Sequence, residues 1–198
     1  MSLKETHHQF IKEVILGYYP VNERLLEQLI SIAAVRKLKK NEILLPVGRI
    51  AKEIYMVYSG AIIAYFLDNE GNTYNKNIFL EGDLAGSTVS SLTNSPSKFA
   101  LEAIEECEII SINFSQYRKL IFDHDEMKNF YIAYLENNWI FEKEKREIDI
   151  VMKDAGSRYL ELLEKHPDLD ERIPLVHIAS HLGITPTQLS RIRKKVKK

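Results

Sequence analysis

Hydrophobic and polar positions change their period twice along this chain. From about Phe10 to Lys37, Leu25, Leu26, Leu29, Ile30, Ala33 and Ala34 recur at helical spacing and predict a helical lead-in. Between Glu42 and Asn113 the texture turns to short runs rich in Ile, Val, Tyr and Phe, over 43–45, 54–58, 61–67, 74–80, 99–104 and 108–112. Turn residues separate the runs at fairly even intervals. Asp68-Asn69-Glu70-Gly71-Asn72 has hairpin composition, because Gly and Asn accept positive φ at low cost. Many short antiparallel strands of this kind predict a sandwich or small barrel.

After Asn113 the strand texture ends, and a helical pattern runs from Phe114 to about Met152 with no Gly or Pro to break it. Met127, Tyr134, Phe141 and Ile148 fall at intervals of seven, with Tyr131, Asn138, Lys145 and Met152 four residues after each. A seven-residue repeat predicts a seam that pairs with a second long helix, in which Asn138 would set register. The alternative is one amphipathic helix lying on its own β domain. The run Glu142 to Glu147 reads as a solvated, ion-paired face.

Asp154-Ala155-Gly156-Ser157 is a small polar break, and a helix over about 157–166 follows, stopped by His166-Pro167-Asp168. The segment after it carries a helix-turn-helix pattern. Pro174 suits a first helical turn, and Leu175, Ile178, Ala179 and Leu182 make one apolar stripe. Gly183 supplies the left-handed turn residue. Thr185 is then an N-cap, Pro186 takes the first helical position, and Gln188 completes a capping box. Leu189, Ile192 and Val196 form the buried side of the second helix, which leaves Thr185, Thr187, Gln188, Ser190, Arg191, Arg193, Lys194 and Lys195 to face DNA. A recognition helix enters the major groove by its N-terminal part, so Arg191 is a candidate for a bidentate pair with guanine and Gln188 for one with adenine. The lysines at the far end would meet phosphate.

Charge sharpens this assignment. The net charge of −1 divides unevenly, with nine basic and five acidic residues from Ala155 onward against 18 and 23 before it. Between Ile173 and Lys198 six basic residues stand without an acidic one. A single cysteine, Cys107, excludes a thiolate metal cluster, and His177 and His181, four apart, lack a third ligand and read as surface residues near DNA. No apolar run approaches the roughly 18 residues of a membrane helix, and Met1 to His8 has no apolar signal core, which together predict a cytoplasmic protein. No nucleophile triad, phosphate loop or paired-carboxylate motif stands out, so an enzyme is not expected.

In this order of elements the chain resembles the Crp/Fnr family of bacterial transcription regulators. Gly48, Tyr55 and Gly60, the loop Gly82-Asp83-Leu84-Ala85-Gly86-Ser87 and the C-terminal motif carry the likeness. The resemblance implies an α+β fold: an N-terminal antiparallel β-roll (a double-stranded, cupin-like β-helix) with flanking helices, a long dimerisation helix and a C-terminal helix-turn-helix domain. It sets a sensor domain over 1–126, a dimerisation helix over 127–153 and a DNA-binding domain over 154–198. It further implies a homodimer that pairs through Met127, Tyr131, Tyr134, Asn138, Phe141 and Ile148 and binds double-stranded promoter DNA, with RNA polymerase as a further partner. No resident cofactor is expected, only a small effector.

In family members that bind cyclic nucleotide, a loop acid takes the ribose hydroxyl and an arginine pairs with the cyclic phosphate. Here Asp83 is the acid candidate, but the arginine stretch reads Ser95-Pro96-Ser97-Lys98-Phe99-Ala100. Ser97 stands in the arginine's place with Lys98 beside it, and an ammonium cannot make the forked pair with phosphate. The effector is therefore expected to differ from cyclic AMP held by that contact. The 82–87 loop either serves a ligand or merely turns a strand into a short helix. Pro186 and Thr187 also replace an Arg-Glu pair that reads bases in the family, so the operator should differ. The competing reading is a small-ligand or interaction module with weak, non-specific nucleic-acid association.

Overall fold

A computed structural model of the protein describes residues 3–67, 70 and 73–196. Of the expected hairpin turn at 68–72 only Glu70 is among them, and Lys197 and Lys198 also lie outside the described residues. Two helices, α1 (Glu5–Tyr18) and α2 (Glu23–Ser31), open the fold. Asn22 caps α2 by accepting the Leu25 N–H at 3.1 Å. The lead-in stops being helical there. Ala33–Leu38 forms strand β1, paired antiparallel with β8 (Cys107–Asn113) from Ala33 opposite Ile112 to Leu38 opposite Cys107. The two alanines fit a helical period equally well, and a partner more than 70 residues away decides the outcome.

The remaining strands are β2 (Ile43–Leu45), β3 (Glu53–Ser59), β4 (Ile62–Leu67), β5 (Thr73–Phe79), β6 (Leu84–Ala85) and β7 (Ala100–Ala103). They build two four-stranded sheets with orders β1-β8-β3-β6 and β2-β7-β4-β5, antiparallel throughout, which face one another as a β-roll. The period of two sorts β4 cleanly. Ile62 and Ala64 join Val57, Leu101 and Ile109 between the sheets, while Ile63 and Tyr65 point out of the other face. Gly60 enters β4 at φ +96°, where an added Cβ would lie 2.6 Å from Cys107 Sγ, so this turn requires glycine. Cys107 itself is buried, with its thiol pushed up to about 11 by that burial, and is a packing residue.

Helix α3 (Thr88–Thr93) bridges β6 and β7, and α4 (Phe114–Asp123) leads to one long helix made of α5 (Asp125–Leu135), a π-helical segment (Glu136–Phe141) and α6 (Glu142–Met152). The π segment corrects the expected uninterrupted seam. One added residue per turn rotates everything after it by about 100°, so a seven-residue repeat cannot hold a single face across it. Met127 is 0% exposed in the core shared with α1, α2 and α4, while Phe141 is 61% exposed. Tyr131 and Tyr134 pack on that same core, and Asn138 donates to Tyr18 Oη at 3.0 Å. Four of the six expected pairing residues are thus spent within the chain, and Phe141 and Ile148 remain outward.

The C-terminal helices are α7 (Ala155–Lys165), α8 (Leu169–Arg172), α9 (Leu175–Leu182) and α10 (Pro186–Val196). Asp154 caps α7 through the Ser157 N–H at 2.8 Å. The core of these helices is continuous with the outer face of the β4 sheet: Tyr159, Ile178, Leu182 and Leu189 share a cluster with Ile63, Tyr65, Ala100 and Ile104.

Candidate nucleic-acid interface and effector site

The turn between α9 and α10 forms as the sequence predicts. Gly183 sits at φ +70°, the left-handed conformation that closes α9. Thr185 N–H donates to Gln188 Oε1 at 2.8 Å and Gln188 N–H to Thr185 Oγ1 at 3.2 Å, a reciprocal capping box with Pro186 at the first helical position. Leu189 is buried and Ile192 half-buried against Tyr159 and its neighbours, which orients the helix. Thr185, Thr187, Gln188, Arg191, Lys194 and Lys195 are exposed and Ser190 partly so.

Two of these residues do work inside the fold. Arg193 pairs with Asp170 at 2.6 Å and also donates to Tyr159 Oη at 3.2 Å, so it ties α10 to α7 and α8. Gln188 Oε1 accepts from both the N–H and the hydroxyl of Thr185, which occupies its acceptor and leaves only its NH2 for a base. The pairing with adenine expected above needs donor and acceptor together, so the capped Gln188 serves as a donor alone. Among the described residues Arg191 has no carboxylate within ion-pair distance.

The first helix of the motif is not a free DNA-facing surface. His177 and His181 turn toward the chain's own β-roll and long helix, contrary to the surface placement expected of them. On the edge strand β5, Asn75 N–H donates to Ser180 Oγ at 2.8 Å, and the Asn75 amide donates to His177 Nδ1 and to the His177 carbonyl, both at 3.1 Å. Helix α9 thereby covers an edge that would otherwise expose its backbone groups. His181 lies against α6, where burial first and then the nearby Arg146 and His166 lower its pKa to about 4. Arg146 and Arg158 donate to the last carbonyls of α9, those of His181 and Leu182. A second tie runs from α8: Arg172 pairs with Glu81 and with Glu105, each at 2.7 Å. Burial pushes the Glu81 carboxyl up, but the hydrogen bonds from Arg172 and from Gly60 N–H outweigh it and leave the pKa below its usual value. Apart from Arg158 of α7, these partners come from the roll or the long helix, so no signal within the C-terminal segment announces them.

The candidate effector loop, 82–87, is assembled but closed on itself. Gly82 N–H donates to the Val57 carbonyl, and Asp83 accepts the Leu80 N–H at 2.8 Å, so this carboxylate caps a turn. Burial pushes it above its usual pKa. Leu84 and Ala85 are strand β6, Gly86 packs near Ile54, and Ser87 precedes α3. The structure brings Ser87 and Ser97 together: both are buried, and Ser97 Oγ lies 2.9 Å from Ser87 Oγ and donates to the Phe99 carbonyl at 2.7 Å. Two hydroxyls satisfied by each other stand where a charged grip on a cyclic phosphate is expected. Lys98 is exposed, outside this pair.

The chain thus joins a β-roll through a long helix to a capped helix-turn-helix. Residues 35–124 match the sequence model of the cyclic nucleotide-binding domain. Over 93 residues the chain is 33% identical to the fumarate and nitrate reduction regulatory protein of Yersinia pestis, covering 46% of this chain and 37% of that protein. The chain thus matches little more than a third of this relative's length. A putative cAMP-binding regulatory protein from Silicibacter pomeroyi superposes with a TM-score of 0.73 at 20% identity, over 98% of this chain and 88% of that one. FixK2 from Bradyrhizobium japonicum gives 0.68 at 20% identity, over 84% and 85%. By sequence residues 35–124 are similar to cyclic nucleotide-binding domains, and the chain shares its fold with these solved structures. No helix is long and apolar enough to cross a membrane among the described residues.

Proposed function

We propose that the protein is a homodimeric, sequence-specific DNA-binding transcription regulator whose β-roll senses a small effector. The observation that carries this reading is the α9–α10 unit. Its turn is capped, its inner side is buried, and its outer side offers Thr187, Ser190 and Arg191 near the N-terminal part of α10 with Lys194 and Lys195 behind them. In this arrangement Arg191 and Ser190 read base edges, the Gln188 amide donates to one, and the lysines hold phosphate. Arg193 acts as a brace for the helix. The regulatory role of the Yersinia pestis relative supports the same reading.

Pairing is supported by the outward apolar residues of the long helix: Ile140, Phe141, Ile148 and Val151 are more than half exposed. A two-fold contact along this helix would bury them and set two recognition helices side by side, with RNA polymerase as the further partner at the promoter. The effector is not gripped by the arginine contact of cyclic-nucleotide binders, because Ser97 holds that place and is bonded to Ser87.

Selection of the purified protein on random duplex DNA, with sedimentation of the same sample, tests the proposal. A dimer and an enriched two-fold symmetric site are the expected results. A monomer with no enriched sequence would favour a ligand-binding module with weak, non-specific affinity for nucleic acid.

A further inference from the structure

His177 and His181 lie one turn apart on α9, and both turn inward where the helix-turn-helix meets the rest of the chain. The contact of His177 fixes its protonation state. The Asn75 amide nitrogen donates to the His177 carbonyl at 3.1 Å, and a carbonyl can only accept. The same nitrogen therefore meets His177 Nδ1, also at 3.1 Å, as a donor, and Nδ1 carries no proton. An imidazolium donates from both ring nitrogens, so a protonated His177 would set N–H against N–H. Turning the amide over would only set its oxygen against the carbonyl. Two further groups stand around this contact. Ser180 of the same helix accepts the Asn75 backbone N–H at 2.8 Å, and Glu102 of β7 favours the imidazolium, but burial outweighs it and leaves the His177 pKa below its usual value.

His181 is kept neutral by different neighbours. Its Nδ1 is buried and has no hydrogen-bond partner among the described residues. Arg146 of α6 and His166 at the end of α7 act on it as like charges, and β5 adds Lys76, within electrostatic reach of Arg146. The C-terminal end of a helix ordinarily favours an imidazolium. Here its carbonyls are taken, since Arg146 donates to that of His181 at 3.3 Å and Arg158 of α7 to that of Leu182 at 3.1 Å. His166 is in turn flanked by Lys165 and Arg172 and by the carboxylates of Asp168 and Glu81, while Glu142 of α6 pairs with Lys165 at 3.7 Å.

We infer that His177 and His181 form an acid-operated latch, which holds α9 against β5 and α6 while both imidazoles are neutral and loosens the helix-turn-helix when they take up protons. Both imidazoles bind a proton less readily docked than free, so docking is complete above about pH 6.5 and weakens as pH falls. The apolar cluster beneath α9 persists at every pH, so the latch sets how often the helix opens. The inference is independent of the reading of α10 as a DNA reader, since its test contains no DNA.

Amide hydrogen exchange of the full chain, corrected for the intrinsic pH dependence of exchange, tests the latch. The Asn75 N–H, which is held by Ser180 Oγ, should lose at least about tenfold in protection between about pH 7.5 and 5.5. Amides paired between β3 and β8 should keep theirs within about twofold, because the roll stays folded. His177→Asn sets a side-chain oxygen that does not titrate opposite the Asn75 amide, and His181→Asn removes the second imidazole. The double variant should lose less than about threefold over the same range, and each single variant an intermediate amount. If the double variant does not dock at all, the imidazole resonances of the wild type decide. His177 should show Nδ1 without a proton at about pH 7.5, and both histidines should titrate in step with the loss of Asn75 protection. Unchanged Asn75 protection in the wild type, an equal loss in a docked double variant, a proton on His177 Nδ1 at the higher pH, histidines that titrate apart from the loss, or a parallel loss by the β3–β8 amides would each overturn the inference.

Discussion

The α9–α10 turn and the β6–β7 loop share a vocabulary of Gly, Ser, Thr and Pro, and each was a candidate site on that ground. They use it in opposite ways. In the turn, Thr185 and Gln188 satisfy one another and so free the rest of α10 to face outward. In the loop, Ser87 and Ser97 satisfy one another, and Asp83 accepts the backbone N–H of Leu80 instead of facing outward. A capped helix start creates a surface, whereas a loop whose polar groups are paired inward erases one.

The comparison can be broken most severely through the apolar anchor of the turn. Leu189→Ala removes a fully buried side chain from the cluster under α10 and should cost about 2–5 kcal/mol of stability, read by urea unfolding. Sequence-specific DNA binding should be lost with it. Unchanged stability would mean that α10 is not packed as described. The next effect is one of pH. His181 is held neutral with a folded pKa near 4, below the 6.5 of an exposed imidazole, so the unfolded chain takes up the proton first. Its contribution is complete above about 6.5 and falls away as pH drops toward 4, by about 3 kcal/mol in all. His181→Asn should flatten this part of the stability–pH curve between pH 7 and 5, and an unaltered slope would contradict the buried placement.

Smaller changes separate residues of α10 that look alike in sequence. Arg193→Ala should cost about 1–3 kcal/mol of stability, because Asp170 and Tyr159 lose their partner, and should weaken all duplexes equally. Arg191→Ala should leave stability unchanged and lose about 1–3 kcal/mol of discrimination at one operator position. Lys194→Ala should have the least effect, a uniform loss of affinity with a salt slope lower by about one. A shift of base preference in Arg193→Ala would reverse the roles given to the two arginines.

Much of this structure was legible because it is local. Strand β2 falls on the predicted run 43–45, and the centres of β3, β4, β5, β7 and β8 fall within theirs. The capping box and Gly183 are short-range devices that declare themselves in eight residues. What escaped is non-local. Strand β1 was hidden because Ala33 and Ala34 fit a helical period until β8 pairs with them. The π segment 136–141 contains neither Gly nor Pro and left no mark, yet it separates Met127, which belongs to the chain's own core, from Phe141, which faces out. Arg193 was grouped with the DNA-facing residues because nothing nearby revealed Asp170 as its partner. His177 and His181 looked like surface residues for the same reason, with Asn75 and Arg146 more than 30 residues away.

The central claim is that α10 reads a sequence and that Arg191 does part of the reading. It is tested most directly by titrating the wild type and Arg191→Ala against the selected duplex and against single-base variants of it at fixed salt. The account predicts a two-fold symmetric site with half-site centres about 10 base pairs apart, or a multiple of that. At one position in each half-site the preference should collapse in Arg191→Ala while the other positions hold. Equal losses by the variant on the selected and the scrambled duplex would contradict it.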